Sequence, residues 1–140
     1  MIDLNPYLEK YNNCIKLDST RETYLKTSRD AIKNTIIRYF KNNDKTEPTF
    51  KSQGSFKMKT IINPKDTNDE YDIDYGVYLN HEDIIPKGKE NNQSEWIKPE
   101  TVHNWIYKAV ENQTSQKPEN KNKCIRVKYA PGEKTYSYHI

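Results

Sequence analysis

The chain is short of the features that define several large classes of protein. Of its 140 residues, two are cysteines, Cys14 and Cys124. Two thiols so far apart do not make a disulfide framework, and a reduced, cytoplasmic protein is the expectation. No stretch approaches the roughly 20 consecutive apolar residues that cross a bilayer. The opening MIDLNPYLEK lacks the basic and apolar regions of a secretory signal. Hydrophobic residues make up 33% and charged residues 31%, and the mean hydropathy is −1.14. That balance leans toward disorder. Eleven tyrosines and two tryptophans pull it back, because each aromatic side chain buries a large area. The formal net charge of +3 is too small for a non-specific nucleic-acid binder, so no obligatory nucleic acid is expected. The length suits one domain over 1–140 with a thin core.

Periodicity supplies the elements. Leu4, Leu8 and Tyr11 share one side of a short first helix. A longer helix follows, with Ser19 and Glu22 spaced as a capping box. Leu25, Ser28, Ile32, Ile36 and Phe40 recur at three- and four-residue steps and form its buried stripe. Residues 41–45 end it. A short extended piece, Thr49–Ser52, is closed by Gln53-Gly54-Ser55, with one or two helical turns over 56–60. Residues 63–70 are a polar loop. Tyr71–Leu79 alternates as a strand, with Asp72, Asp74, Gly76 and Tyr78 on one face. Residues 80–94 read as a surface loop. Pro99 opens a helix whose stripe is Val102, Trp105, Ile106, Ala109 and Val110, and Trp105 is expected in the core. A polar run over 112–123 leads to a strand, Cys124–Tyr129, with Cys124 buried at its start. Pro131-Gly132 is a turn, and Tyr136–Ile140 a further strand. The order gives an α+β (α/β) domain with a small mixed sheet flanked by helices.

Two local patterns carry chemistry. Asp72 and Asp74, two apart on a strand, point to the same face. Paired carboxylates repel unless a cation lies between them, and hard Mg²⁺ takes such oxygen ligands together with substrate phosphates. A solvated strand face is the plain alternative. Gly54-Ser55 follows a strand and opens a helix. Glycine there lets a phosphate approach the backbone, the free N–H groups face it, and Ser55 adds a hydroxyl. Lys57 and Lys59 follow and supply charge, or else form an ordinary solvated helix face. A phosphate turn beside a carboxylate pair is the combination that phosphoryl or nucleotidyl transfer needs. His81, His103 and His139 have no metal-ligand spacing.

The segments Gln53–Thr60 and Tyr71–Leu79 resemble the bacterial cyclic-oligonucleotide synthases, relatives of the animal cyclic GMP-AMP synthase and the oligoadenylate synthases. All belong to the DNA-polymerase-β-like nucleotidyltransferase superfamily. Trp96–Trp105, Arg126–Tyr129 and Tyr138–Ile140 extend the resemblance from about residue 19 to the end. It implies a polymerase-β-like core in which Gly54 and Ser55, with Gln53, hold the donor's β- and γ-phosphates. Asp72 and Asp74 bind two Mg²⁺ (or Mn²⁺) ions, and Lys57 and Lys59 lie near phosphate. The implied partners are nucleoside triphosphates such as ATP and GTP, and the implied product is a cyclic di- or trinucleotide that signals phage infection. Two alternatives stand beside it: a nucleotidyltransferase acting on a protein, RNA or small-molecule hydroxyl, and an inactive nucleotide- or RNA-binding module. Family members run to roughly twice this length and carry a third carboxylate after a segment like Tyr138–Ile140. The resemblance therefore implies that the chain is an N-terminal part without its helical C-terminal lobe, and inactive alone.

Overall fold

The computed structural model describes residues 3–66, 69–130 and 138–140. Helix α1 spans Asn5–Ile15 with a proline in its first turn, and none of its residues is buried. Its stripe of Leu4, Leu8 and Tyr11 is about two-thirds exposed. Helix α2 spans Ser19–Asn42, and all five residues of the expected stripe, Leu25, Ser28, Ile32, Ile36 and Phe40, are buried.

The cap of α2 differs from the capping box expected at Ser19. Asp18 has the extended backbone of a cap residue, and its side chain accepts from the Arg21 N–H at 2.9 Å. Ser19 is already helical. The Arg21 guanidinium closes on Asp18 at 2.8 Å and donates to the Asn63 side-chain oxygen at 2.9 Å, which fastens the 63–66 loop to the helix start. Glu22 pairs instead with Lys26 one turn on, at 2.7 Å.

Helix α5, Pro99–Val110, packs on α2. Phe40, Ile36 and Val110 are 0–1% exposed, and full burial of such side chains contributes about 1.5–3 kcal/mol each. Trp105 meets Phe40 edge-on, with ring centroids 6.3 Å apart at 89°, so it packs against the core as expected, though it is half-buried at the core's edge. The Lys45 ammonium caps its ring at 3.8 Å.

The strands lie against these two helices. Strand β1 (Thr49–Gln53) leads directly into the short helix α3 (Gly54–Met58). The expected strand over Tyr71–Leu79 is extended but changes partners midway. Its first part, β2 (Tyr71–Asp72), runs parallel to β7 (Tyr138–His139). Its second part, β3 (Asp74–Tyr78), runs antiparallel to β1. Ile73, 2% exposed, sits at the change-over. Tyr75 stacks on Phe50 at 5.4 Å.

The later segments contain more structure than expected. Within 80–94 the chain forms helix α4 (His81–Ile84) and a 3₁₀ turn (Gln93–Glu95). The polar run 112–123 contains strand β4 (Glu119–Lys121), paired antiparallel with β5 (Cys124–Arg126) through a two-residue turn. A strand with no apolar residue cannot show alternation, and here the hairpin pairing holds it. Glu119 gathers Lys128 at 2.6 Å, Lys121 at 3.3 Å and Arg126 at 3.8 Å. Cys124 is exposed rather than buried, because Ile125 next to it takes the core side.

Val127, 3% exposed, separates β5 from β6 (Lys128–Tyr129). It exchanges both backbone hydrogen bonds with Ile140, at 2.7 and 3.0 Å. The strands fall into three small sheets rather than the one expected: β1-β3 and β4-β5 are antiparallel pairs, and β2-β7-β6 combines parallel and antiparallel pairs and is mixed. The expected Pro131-Gly132 turn and the strand start at Tyr136-Ser137 lie outside the described residues. Among the described residues no helix is long and apolar enough to cross a membrane.

Candidate functional site

The site is built where β1 passes into α3 beside β3. Alternation fixes the direction of its acids. Tyr71 and Ile73 are buried against the helices, at 4% and 2% exposed. Asp72 between them and Asp74 after them therefore turn to the other face, half-buried and exposed respectively. The change of pairing partner at Ile73 leaves this alternation intact.

The β1–β3 register sets Gln53 directly opposite Asp74. The next residue, Gly54, has φ of +58°, a backbone conformation that residues with a side chain adopt at a cost. A side chain at Gly54 would strike the Asp74 carboxylate: its Cβ would overlap Oδ2 and lie 3.1 Å from Cγ. The glycine turn and the second carboxylate, twenty residues apart in the sequence, are thus packed against each other.

Ser55 is half-buried. Its carbonyl accepts from the Thr60 N–H at 2.9 Å, while its hydroxyl makes no hydrogen bond among the described residues. Lys57 is exposed on α3. Lys59 ends α3 with a left-handed φ of +58°, and it lines a smaller cleft with Leu17, Glu22 and Phe56. Neither lysine enters an ion pair among the described residues. Gln53, Asp72 and Asp74 together line the main cleft, of about 470 Å³.

That cleft has a defined shape. One wall is β3, the other is β5, Ile140 stands at one end, and Ile32, Ile36, Ile106 and Val110 form its floor. Within their sheets β3 and β5 each have one strand neighbour, β1 and β4. Strand β7 lies between β2 and β6. β2 runs on into β3 through Ile73, and β5 runs into β6 through Val127. The line of β7 therefore points into the cleft between β3 and β5. The parallel register Tyr71↔Tyr138 and Asp72↔His139 brings Ile140 level with Ile73.

A contact that the sequence reading did not anticipate lies on the same face. The Gln53 side-chain amide donates to the Tyr78 hydroxyl at 2.7 Å, crossing over Gly76. A Cβ at Gly76 would sit 2.5 Å from the Gln53 Nε2 and 2.9 Å from the Tyr78 ring. A glycine inside a strand signals such a close approach, and that is the signal by which the sequence marks this contact.

The donor set suits a hard divalent cation: two carboxylates on one face, one of them against a phosphate-type turn. Among the described residues no third His, Cys, Asp or Glu joins them.

Comparison with known proteins bears on the same residues. Residues 48–140 match the family model of the nucleotidyltransferase domain of the DncV-like cyclic GMP-AMP synthases. That span begins just before β1 and contains the glycine turn and both aspartates. A protein of Escherichia albertii named cyclic GMP-AMP synthase is 32% identical over 106 residues, which cover 71% of this chain and 23% of that protein. The chain thus spans about a quarter of that relative, which is longer still than the twofold length expected from the sequence.

Proposed function

The chain belongs to the DncV-like nucleotidyltransferase family, and on that premise we propose that it is the catalytic core of an enzyme that joins nucleoside triphosphates into a cyclic di- or trinucleotide second messenger. The packing of Gly54 against Asp74 carries this reading. It sets a turn suited to phosphate beside a carboxylate suited to a metal, as transfer to a hydroxyl requires. The relative's name says that it makes cyclic GMP-AMP, which supports ATP and GTP as the substrates here. A signal raised in the cytoplasm in response to phage is the role that follows.

In this reading the Gly54 and Ser55 N–H groups and the Ser55 hydroxyl hold the donor's β- and γ-phosphates. Asp72 and Asp74 would hold Mg²⁺ or Mn²⁺, two ions in all. When bound, the metal neutralises the triphosphate and favours ionisation of the acceptor hydroxyl. The glycine gives the phosphate room at the backbone, and Gln53, opposite Asp74, borders it. Lys57, exposed on α3, would contribute charge to the phosphates, while Lys59, which lines the separate smaller cleft, would act only at longer range. The acceptor's 2′- or 3′-oxygen attacks the donor's α-phosphorus, and the bond to the β-phosphate oxygen breaks. Pyrophosphate leaves, and the hydroxyl proton passes to solvent.

The cleft between β3 and β5 supports the reading that the catalytic unit extends past Ile140 in the whole protein. A continuation of β7 would fill the cleft, pairing with β3 on one side and β5 on the other. Its first residue would stand level with Asp74, where a third carboxylate would complete the metal site. The 140 residues alone would then lack activity. Mass spectrometry of products formed by the full-length protein from ATP and GTP with Mg²⁺ tests the proposal. A cyclic dinucleotide or trinucleotide supports it. Nucleotide attached to a protein, RNA or small-molecule hydroxyl replaces the cyclase reading, and metal-independent binding without turnover points to an inactive module.

A further inference from the structure

The face that carries Asp72 and Asp74 continues along β3 to Gly76 and Tyr78, and across the register to Gln53, Lys51 and Thr49 on β1. Facing residues of an antiparallel pair share a side of the sheet, so these form one surface. On it Gln53 does not stand out into solvent as an exposed glutamine on a strand ordinarily does. It lies along the sheet, over Gly76, with its Nε2 on the Tyr78 hydroxyl at 2.7 Å. Gly76 leaves just the room this needs.

Tyr78 is itself 43% exposed, and the Lys51 ammonium lies 5.0 Å from its ring centroid. Two neighbours thus fix a side chain that burial alone would leave free to rotate. Gln53 Oε1 and the second amide hydrogen make no other hydrogen bond among the described residues, and neither does the Tyr78 hydroxyl hydrogen. The pair is internally joined and keeps unused hydrogen-bonding groups, and its Gln53 member lines the cleft.

We propose that Tyr78 is a positioning residue for the nucleotide site: by holding the Gln53 amide across Gly76, it fixes the residue that leads into the Gly54–Ser55 turn. This rests on the nucleotidyltransferase reading of that turn. Side-chain rotamer freedom at Gln53 would otherwise have to be lost each time a triphosphate binds. The hydroxyl removes that cost in advance. The effect falls on ground state and transition state alike, so it changes KM and leaves kcat nearly unaltered.

The test uses steady-state pyrophosphate release by the full-length protein from ATP and GTP with Mg²⁺. Tyr78→Phe keeps the ring and the Lys51 contact and removes the hydroxyl alone. A rise in KM of about three- to tenfold, with kcat within about twofold and at most a small fall in Tm, is expected from the loss of one exposed hydrogen bond. Gln53→Leu should raise KM at least as much, since it removes the link and the amide that borders the phosphates, and adding Tyr78→Phe to Gln53→Leu should change nothing further, since the link is already gone. A Tyr78→Phe enzyme with wild-type KM overturns the proposal, as does a double variant whose effects simply multiply. Asp74→Asn separates the two levels. If it abolishes turnover while Tyr78→Phe changes nothing, the positioning role fails alone. If it leaves turnover intact, the underlying reading of the site fails as well.

Discussion

Replacing Gly54 by alanine probes the join between the turn and the carboxylate. Two effects are separable there. The φ of +58° costs an alanine about 1–2 kcal/mol, and in the longer full-length protein, where 1 kcal/mol moves Tm by at most about 2–4 °C, Tm should fall by a few degrees. The new Cβ also collides with the Asp74 carboxylate. Asp74 is exposed, so it can swing toward water at little further cost in stability, but it leaves the place opposite Gln53. A displacement of about 1 Å in a reacting constellation can cost a hundredfold in rate. Gly88 supplies the control. Its φ is +80°, and a Cβ there would meet nothing within 4 Å. Gly88→Ala should therefore carry a comparable loss of Tm and wild-type turnover. The assay pairs thermal unfolding with pyrophosphate release by the full-length protein. The reasoning is refuted if Gly54→Ala keeps turnover within about threefold of wild type, or if Gly88→Ala loses turnover to the same degree.

Three further perturbations test other parts of the structure. Asp18→Ala should destabilise the chain by about 1 kcal/mol through loss of the α2 cap, while Ser19→Ala should cost much less; urea unfolding midpoints compare them. Lys59→Gly should raise stability by up to about 1 kcal/mol by relieving its left-handed φ, and if the Lys59 charge serves the phosphates, KM for ATP should rise at the same time. Burial pushes the Tyr75 phenol above its ordinary value of 10.0, the Arg29 guanidinium pulls it back down, and Asp30 pushes it up again. A raised folded value favours the neutral phenol, so its contribution is full below about pH 10 and is lost as the pH climbs through the folded value. Tyr75→Phe should flatten that part of the alkaline stability profile, as read from unfolding midpoints at pH 8 and above pH 10.

The long helices and the shared face of the two aspartates were legible in the sequence, and the reasons are specific. Every residue of the α2 stripe is buried because a 24-residue amphipathic helix carries its pattern over many turns. Asp72 and Asp74 share a face because strand alternation is local and survives the change of partner at Ile73. What alternation cannot convey is which strand lies alongside. The break at Ile73 depends on β1 and β7, which lie some twenty and sixty-five residues away in the sequence, and the break at Val127 on a change from β4 to β7 as partner. Strand β4 escaped notice because Glu-Asn-Lys has no apolar member. The choice between Asp18 and Ser19 as cap turned on which residue takes the extended backbone, and both have capping side chains. Thiols are usually buried, which favours a buried Cys124 at the strand start, whereas the register turns Ile125 inward instead. The contact of Gly54 with Asp74 and the Gln53–Tyr78 bond are three-dimensional facts. The sequence held the residues, with Gly76 as the one local sign of a close approach.

The central claim is that Asp72 and Asp74, set beside the Gly54–Ser55 turn, form one metal-dependent nucleotidyl-transfer site. Pyrophosphate release from ATP and GTP by the full-length protein, with Mg²⁺ or Mn²⁺, compared with the same protein carrying Asp72→Asn and Asp74→Asn, measures this most directly. The account predicts metal-dependent release by the unaltered protein and a loss of at least about a thousandfold in the variant, as expected when groups that stabilise a transferring phosphoryl are removed. Undiminished release by the variant, at unchanged Tm, would contradict it.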